Sequence, residues 1–432
     1  MPCPIAPTRA PRPAPAVEYN IYFWILLATV VGLWLLDLVA DVLNLRHMNA
    51  ALPDGELADL YDAERYARSQ EYTRERTRFA IASGAFDVAV FLAFWLCGGF
   101  GMLDGFVRTW LQHPVLQGLA FAGILSAGLG ALSLPWSIYA TFVLEEKYGF
   151  NRTTPATFVL DLIKGAALGA VLGGAAFAAV MAFFMYAGPW AWLYAWAAMV
   201  AAGALFAFVA PRFIMPLFFK FTPLPAGELS DRLHALCERL RFPVREMYVV
   251  DGSRRSSKAN AFFTGFGSNR RIALFDTLIE EHPPEELEGI LAHEIGHDKC
   301  LHMWKMAAVS VAQSFVMFWI LSLFITSPQL QAALGIATPS VYAGLFAFAL
   351  MYEPVGRLLA IGVTALSRRH EYEADAYAAR GIGGPRPLMD ALKRLSRKHL
   401  ANLTPHPLAV LLRASHPPLA QRLAALGRLK AQ

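Results

Sequence analysis

The chain has 432 residues, 56% of them hydrophobic and only 16% charged, with a formal net charge of +5. Average soluble domains carry roughly 25% charged residues, so much of this chain must be solvated by lipid. No basic face with interleaved aromatics lies outside the apolar stretches, which excludes a nucleic-acid partner, and Cys3, Cys97, Cys237 and Cys300 show no spacing that suits a disulfide framework.

Residues 1–17 are dense in Pro and Ala and read as an unstructured tail. The apolar stretch that follows is too long for a signal-peptide core and reads as a first membrane helix. Seven segments approach the roughly 20 apolar residues that cross a bilayer. They are Ile21–Val39, Phe79–Phe100, Val115–Val143, Phe158–Tyr186, Trp190–Val209, Met303–Ile325 and Val341–Leu366. The loops between them alternate in charge. Arg65, Arg68, Arg74, Arg76 and Arg78 crowd the first, Arg108 stands alone in the second, and Lys147, Arg152 and Lys164 flank the third. The fourth and sixth have no basic residue, while the long fifth and the tail after Ser367 are rich in Arg and Lys. By the positive-inside rule, residues 46–78, 144–157, 211–302 and 367–432 face the cytoplasm. Arg9 and Arg12 in the outer tail are a minor dissent.

Residues 18–220 thus hold five membrane helices, 303–366 two more, and 221–302 and 367–432 are large enough to fold in water. In the first of these, Leu229–Leu240 has the pattern of an amphipathic helix and Arg245–Val250 that of a strand. Asn260–Phe266 and Arg271–Phe275 read as a hairpin turning at Gly267-Ser268-Asn269. Pro283-Pro284-Glu285-Glu286 announces a helix start, and that helix can run on into the sixth span.

This helix carries Leu291-Ala292-His293-Glu294-Ile295-Gly296-His297. Spacing of four puts both imidazoles on one face, where they can ligate one metal ion. Glu294 is turned about 100° away and can reach a water without ligating. A catalytic zinc site wants a third protein ligand. The best donor is Glu371, in Arg369-His370-Glu371-Tyr372-Glu373-Ala374-Asp375, with Asp375 one turn on and free to hydrogen-bond a zinc histidine while Glu373 points away. The plain alternative for these acids is a solvated, dipole-stabilising helix start. His302 is about 140° round from His297 and off the ligand face. His416 looks at first like a lone surface histidine. Asp37, Asp87, Gln313, Glu353 and Arg357 lie inside the spans, either as interhelical pairs, Glu353 with Arg357 for instance, or as the wall of an aqueous chamber.

Beyond the H-E-x-x-H, the chain resembles the type I CAAX prenyl protease family, membrane zinc endopeptidases that process prenylated C-termini. The likeness runs through Tyr61, Tyr66, Ser69 and Tyr72, Leu134-Pro135-Trp136, Glu145–Asn151, Phe218–Leu224, Val250–Ser253, Asn260-Ala261-Phe262 with Gly265-Phe266-Gly267, Arg369–Asp375 and Ser415-His416-Pro417-Pro418-Leu419. It implies a mainly α integral membrane protein, seven transmembrane helices enclosing a chamber, with an α+β zinc-protease domain on the cytoplasmic side. It makes His293, His297 and Glu371 the ligands of one Zn²⁺, Glu294 the catalytic base, and Asn260 and His416 contacts to the substrate or its tetrahedral intermediate. Asp298 departs from the pattern, where an aromatic is common, and bears on packing rather than catalysis. The expected substrate is a peptide or protein, prenylated or not, entering as a strand beside Asn260–Phe266. The rival readings are a general quality-control protease of the membrane, with unprenylated clients, and a transporter or inactive scaffold. The Ala- and Arg-rich composition favours a bacterial inner membrane over the endoplasmic reticulum.

Overall fold

Helices this apolar must be covered by lipid wherever protein does not cover them, and that condition shapes the architecture. The computed structural model describes residues 17–48, 57–58, 60–264 and 270–429. The tail up to residue 16 and the turn at 265–269 lie outside the described residues. The first span, α1 (Ile21–His47), starts where Asn20 Oδ1 accepts the Tyr22 and Phe23 N–H groups. Asp62 caps α2 (Ala63–Leu96) in the same way. The short α3 (Gly99–Trp110) leads to α4 (Pro114–Tyr139), which runs through a π-helical turn to Glu145. The fourth span is α5 (Pro155–Leu168) and α6 (Gly174–Tyr186), joined by a second π-helical turn, and the fifth is α7 (Ala191–Val209) with α8 (Met215–Phe218). The last two spans are α12 and α14, placed below. Among the described residues, seven helices are long and apolar enough to cross a membrane.

Neighbouring spans touch in a closed circuit, from α1 to α2, through α3 to α4, then α6, α7, α12, α14 and back to α1. No more than 22% of the most apolar window of any span is buried. A ring one helix thick, bare on both faces, encloses a chamber. Its apolar packing gathers at one end, where Phe23, Trp95, Phe100, Phe121, Met181 and Tyr342 interlock. Arg357 reaches across to Asp37 on α1 at 2.5 Å rather than pairing with Glu353, which is exposed. Pairing between helices neutralises two charges from different spans at once, which a pair on one helix cannot do.

The other end of the ring carries the α+β domain. Strands β1 (Phe221–Pro223), β2 (Val244–Val250), β3 (Ala261–Thr264) and β4 (Arg270–Phe275) form a sheet of order β1-β2-β4-β3, with β2 and β4 parallel and β3 antiparallel to β4. Helix α9 (Glu228–Arg239) and the short α10 (Asp276–Glu281) flank it. Helix α11 (Pro284–Lys299) runs through the domain core, where Leu287, Leu291 and Ile295 meet Leu236, Ile272 and Leu274. Beyond it come α12 (His302–Phe324), α13 (Pro328–Ala332), α14 (Val341–Gly381), α15 (Arg386–Lys398), α16 (Pro407–Arg413) and α17 (Leu419–Gly427).

One expectation is corrected and one alternative is set aside. The motif helix does not run into the sixth span: it ends at Lys299, and Leu301, at φ 57°, turns the chain before α12 begins. Nor do Glu371 and Asp375 sit at an acidic helix start. They lie deep in α14, which continues unbroken from the last span because no breaker other than the tolerated Pro354 interrupts it.

Candidate active site

Helices α11 and α14 cross where a side chain has been removed. A Cβ on Gly296 would stand 3.1 Å from both the Cα and the O of Ala374. That approach carries Glu371, one turn before Ala374, against the two histidines of α11. Gly296→Val is therefore expected to lose about 1–3 kcal/mol of stability through overpacking. It should also lose bound metal as Glu371 is pushed away; a thermal melt read together with metal content checks both.

His293 Nε2 and His297 Nε2 are 3.1 Å apart, and the Glu371 carboxylate is 3.6 Å from the first and 3.4 Å from the second. One donor atom from each residue fits within a 4.8 Å cluster. Tetrahedral zinc with nitrogen ligands at about 2.0–2.1 Å needs donors about 3.3 Å apart, so this spacing suits the ion. Glu371 Oε2 is buried and accepts no hydrogen bond; Arg422 Nη1 is 3.2 Å away but not aligned to donate. A buried carboxylate with one oxygen unsatisfied, each oxygen facing one of two imidazoles, is a donor set that a divalent cation completes.

Behind the ring of His293, Nδ1 lies 2.9 Å from Asp375 Oδ1, an ion-pair distance at which the ring N–H is not aligned for a hydrogen bond. Burial alone would lower this imidazole, but Asp375 and Glu371 outweigh it and raise it to about 9. Ligation by Nε2 would displace that extra proton. Glu294 is part-buried on the site wall, and burial pushes its carboxyl up, toward the range in which a carboxylate shuttles protons. His416 Nε2 comes within 3.4 Å of Glu371 Oε1 although its side chain is 64% exposed. The residue that looked like a lone surface histidine therefore faces open space beside the cluster. Asn260 is exposed at the start of β3, with Oδ1 accepting the Ala261 N–H; no contact joins it to the cluster among the described residues. Strand β3 is the edge of the sheet and packs on α11.

Comparison with known proteins gives the family. Residues 41–220 match the family described as CAAX prenyl protease N-terminal, five membrane helices, and residues 223–430 match peptidase family M48. The chain belongs to peptidase family M48. It is 33% identical to a CAAX prenyl protease 1 homolog of Arabidopsis thaliana, over 92% of this chain and 96% of that one. A human CAAX prenyl protease 1 homolog is 31% identical over 87% of this chain and 88% of its own. The crystal structure of S. mikatae Ste24p superposes with a TM-score of 0.90 at 30% identity, covering 95% of this chain and 100% of that one. This M48 peptidase is thus a multi-pass membrane metalloendopeptidase.

Two residues that touch this cluster or its neighbours are not evident from the sequence pattern. Arg422, on α17, is buried and grips Asp375 with both arms, Nε to Oδ2 at 2.9 Å and Nη2 to Oδ1 at 2.6 Å. Its signal is present but faint: Arg422 shares the apolar face of a short helix with Leu426, where a charge has no reason to be unless something buried awaits it. The other is His302, whose Nδ1 lies 3.0 Å from His297 Nδ1.

Proposed function

We propose that this M48 peptidase is a zinc endopeptidase of the CAAX prenyl protease type, cutting near the C-terminus of prenylated or other membrane-associated substrates. The observation that carries the reading is the convergence of three donors from α11 and α14 at tetrahedral spacing, in a domain seated on a hollow ring of membrane spans. In this reading His293, His297 and Glu371 hold one Zn²⁺, and Asp375, backed by Arg422, fixes the tautomer of His293. Zinc, when bound, supplies the Lewis acidity that polarises a scissile carbonyl and lets water deprotonate near neutral pH. Glu294 accepts the proton of the attacking water and returns it to the leaving amine. The free edge of β3 aligns the substrate main chain as an added strand, with Asn260 at its entrance and His416 opposite. Purified enzyme is expected to cleave a prenylated CAAX peptide faster than its unprenylated twin or an unfolded membrane protein, with all cleavage abolished by a chelator. Glu371→Ala should copurify without zinc. Equal rates on all three substrates would favour a general quality-control role, and full zinc occupancy in Glu371→Ala would move the third ligand elsewhere.

The basic loops support a cytoplasmic active site, and the Ala- and Arg-rich composition supports a bacterial inner membrane. In a cysteine-free background, a cysteine at Ser327 should react with an impermeant thiol reagent added to intact cells, while cysteines at Ser230 and Ser396 should not. The opposite labelling pattern would place the zinc site outside.

A further inference from the structure

The two histidines of the motif are supported from behind in different ways. His293 has a carboxylate directly on Nδ1. His297 has another imidazole there, at 3.0 Å, and the far nitrogen of that ring, His302 Nε2, lies 3.1 Å from Glu373 Oε2. His302 reaches this position only because α11 stops. The left-handed Leu301 turns the chain so that the first residue of α12 folds back under His297, where an unbroken helix would have carried it away. The ring of His302 is buried, and His370 stacks on it with centroids 4.0 Å apart and planes within 11° of parallel. Glu373 is held in turn by Arg369 Nε at 3.0 Å and by Lys305 Nζ at 3.7 Å.

We infer that His302 and Glu373 are positioning residues that orient His297 and fix its tautomer for the metal. The inference rests on the reading of His297 as a ligand, and the protons balance in only one direction. With His297 Nε2 facing the cluster, its proton sits on Nδ1 and needs an acceptor. His302 Nδ1 accepts it, which leaves the His302 proton on Nε2, donating to the Glu373 carboxylate. Both ligand histidines thus end on a carboxylate that a cation anchors, Asp375 with Arg422 directly, Glu373 with Arg369 through one intervening ring. Outer partners of this kind hold the ligand ring in plane and raise its basicity, and losing one typically weakens metal binding by about 10–100-fold.

The test measures Zn²⁺ affinity of the purified full-length enzyme by competition with a chelator. Visible absorption after Co²⁺ substitution and the melting point of the metal-free protein are read alongside it. His302→Leu fills the space without an acceptor and should bind Zn²⁺ about 10–100-fold more weakly, with an altered Co²⁺ spectrum. His302→Asn places an amide oxygen near the position of Nδ1 and should recover most of the affinity. Glu373→Ala should show a smaller loss that Glu373→Gln, still an acceptor for His302 Nε2–H, restores. Wild-type affinity in His302→Leu, with His297→Ala devoid of zinc, would overturn the inference and leave the ligand set intact. Equal losses in His302→Leu and His302→Asn would also overturn it, since packing rather than the hydrogen bond would then be responsible. If His297→Ala itself keeps zinc, the ligand reading fails first. Should His302→Leu not fold, the Glu373→Ala and Glu373→Gln pair decides, with equal affinity in the two refuting the relay.

Discussion

Glu294→Gln is expected to bind zinc as the wild type does and to lose at least about 10²–10⁴-fold in peptide turnover. The substitution keeps the size of the side chain and leaves His293, His297 and Glu371 in place, so the 3.1–3.6 Å spacing of the donors should persist. What it removes is a carboxylate on the site wall that is beside the cluster yet outside the ligand set. Burial raises the Glu294 carboxyl, and an amide at that position has no basic form at any working pH. Because the base acts in the transition state, kcat and kcat/KM should fall together while KM changes little. Zinc content by atomic absorption and turnover on one peptide, from the same preparation, check this. Normal turnover in Glu294→Gln would remove the general base from the mechanism.

Most of the membrane architecture is legible in the sequence alone, because a bilayer demands long apolar runs and marks their flanks with charge. The ends are less legible. Loss of hydrophobicity bounds the segment Val341–Leu366, yet α14 continues to Gly381, since backbone hydrogen bonding does not stop where the side chains turn polar. That continuation matters for the site: the lever that bears Glu371 and Asp375 is the last span itself. The cluster of His293, His297 and Glu371 is legible because a metal site would force a periodic spacing onto local sequence. Arg422 and His302 are not, because each acts across a tertiary contact. On an unbroken helix His302 would indeed lie off the ligand face. The left-handed turn at Leu301, at a residue type that rarely adopts it, has no local signature to betray the break. The pairing of Arg357 with Asp37 is hidden for the same reason: sequence offers the neighbour at i,i+4, and only packing shows the neighbour across the ring.

His416 is where sequence pattern and site geometry diverge most, and its expected behaviour separates them. A solvent-exposed histidine ahead of Pro417-Pro418 would tolerate alanine within about 0.5 kcal/mol of stability and no change in rate. The geometry argues otherwise. The segment carrying His416 is seated on both sides, by Arg413 paired with Asp41 and Asp37 of α1, and by Arg422 on Asp375. Ser415 Oγ lies 2.9 Å from His416 Nδ1, so its hydroxyl can donate there and leave the ring proton on Nε2, the nitrogen that faces the cluster. Desolvation on the side of the ring that faces the cluster lowers the imidazole below its ordinary pKa, which favours the neutral donor over a cation competing for Glu371. In the proposed mechanism this neutral N–H, beside the cluster, would meet the carbonyl oxygen as it gathers charge and stabilise the transition state more than the bound peptide. Losing one such donor costs about 10²–10³-fold in turnover. His416→Ala should therefore lower kcat and kcat/KM together by that factor, with zinc content and melting temperature unchanged. Asn260→Ala should behave alike only if its amide reaches the same oxygen once substrate lies along β3, and the double variant should then lose less than the product of the two single losses. Wild-type turnover in His416→Ala would return this residue to the surface and leave Glu294 and the metal ligands as the whole of the chemistry.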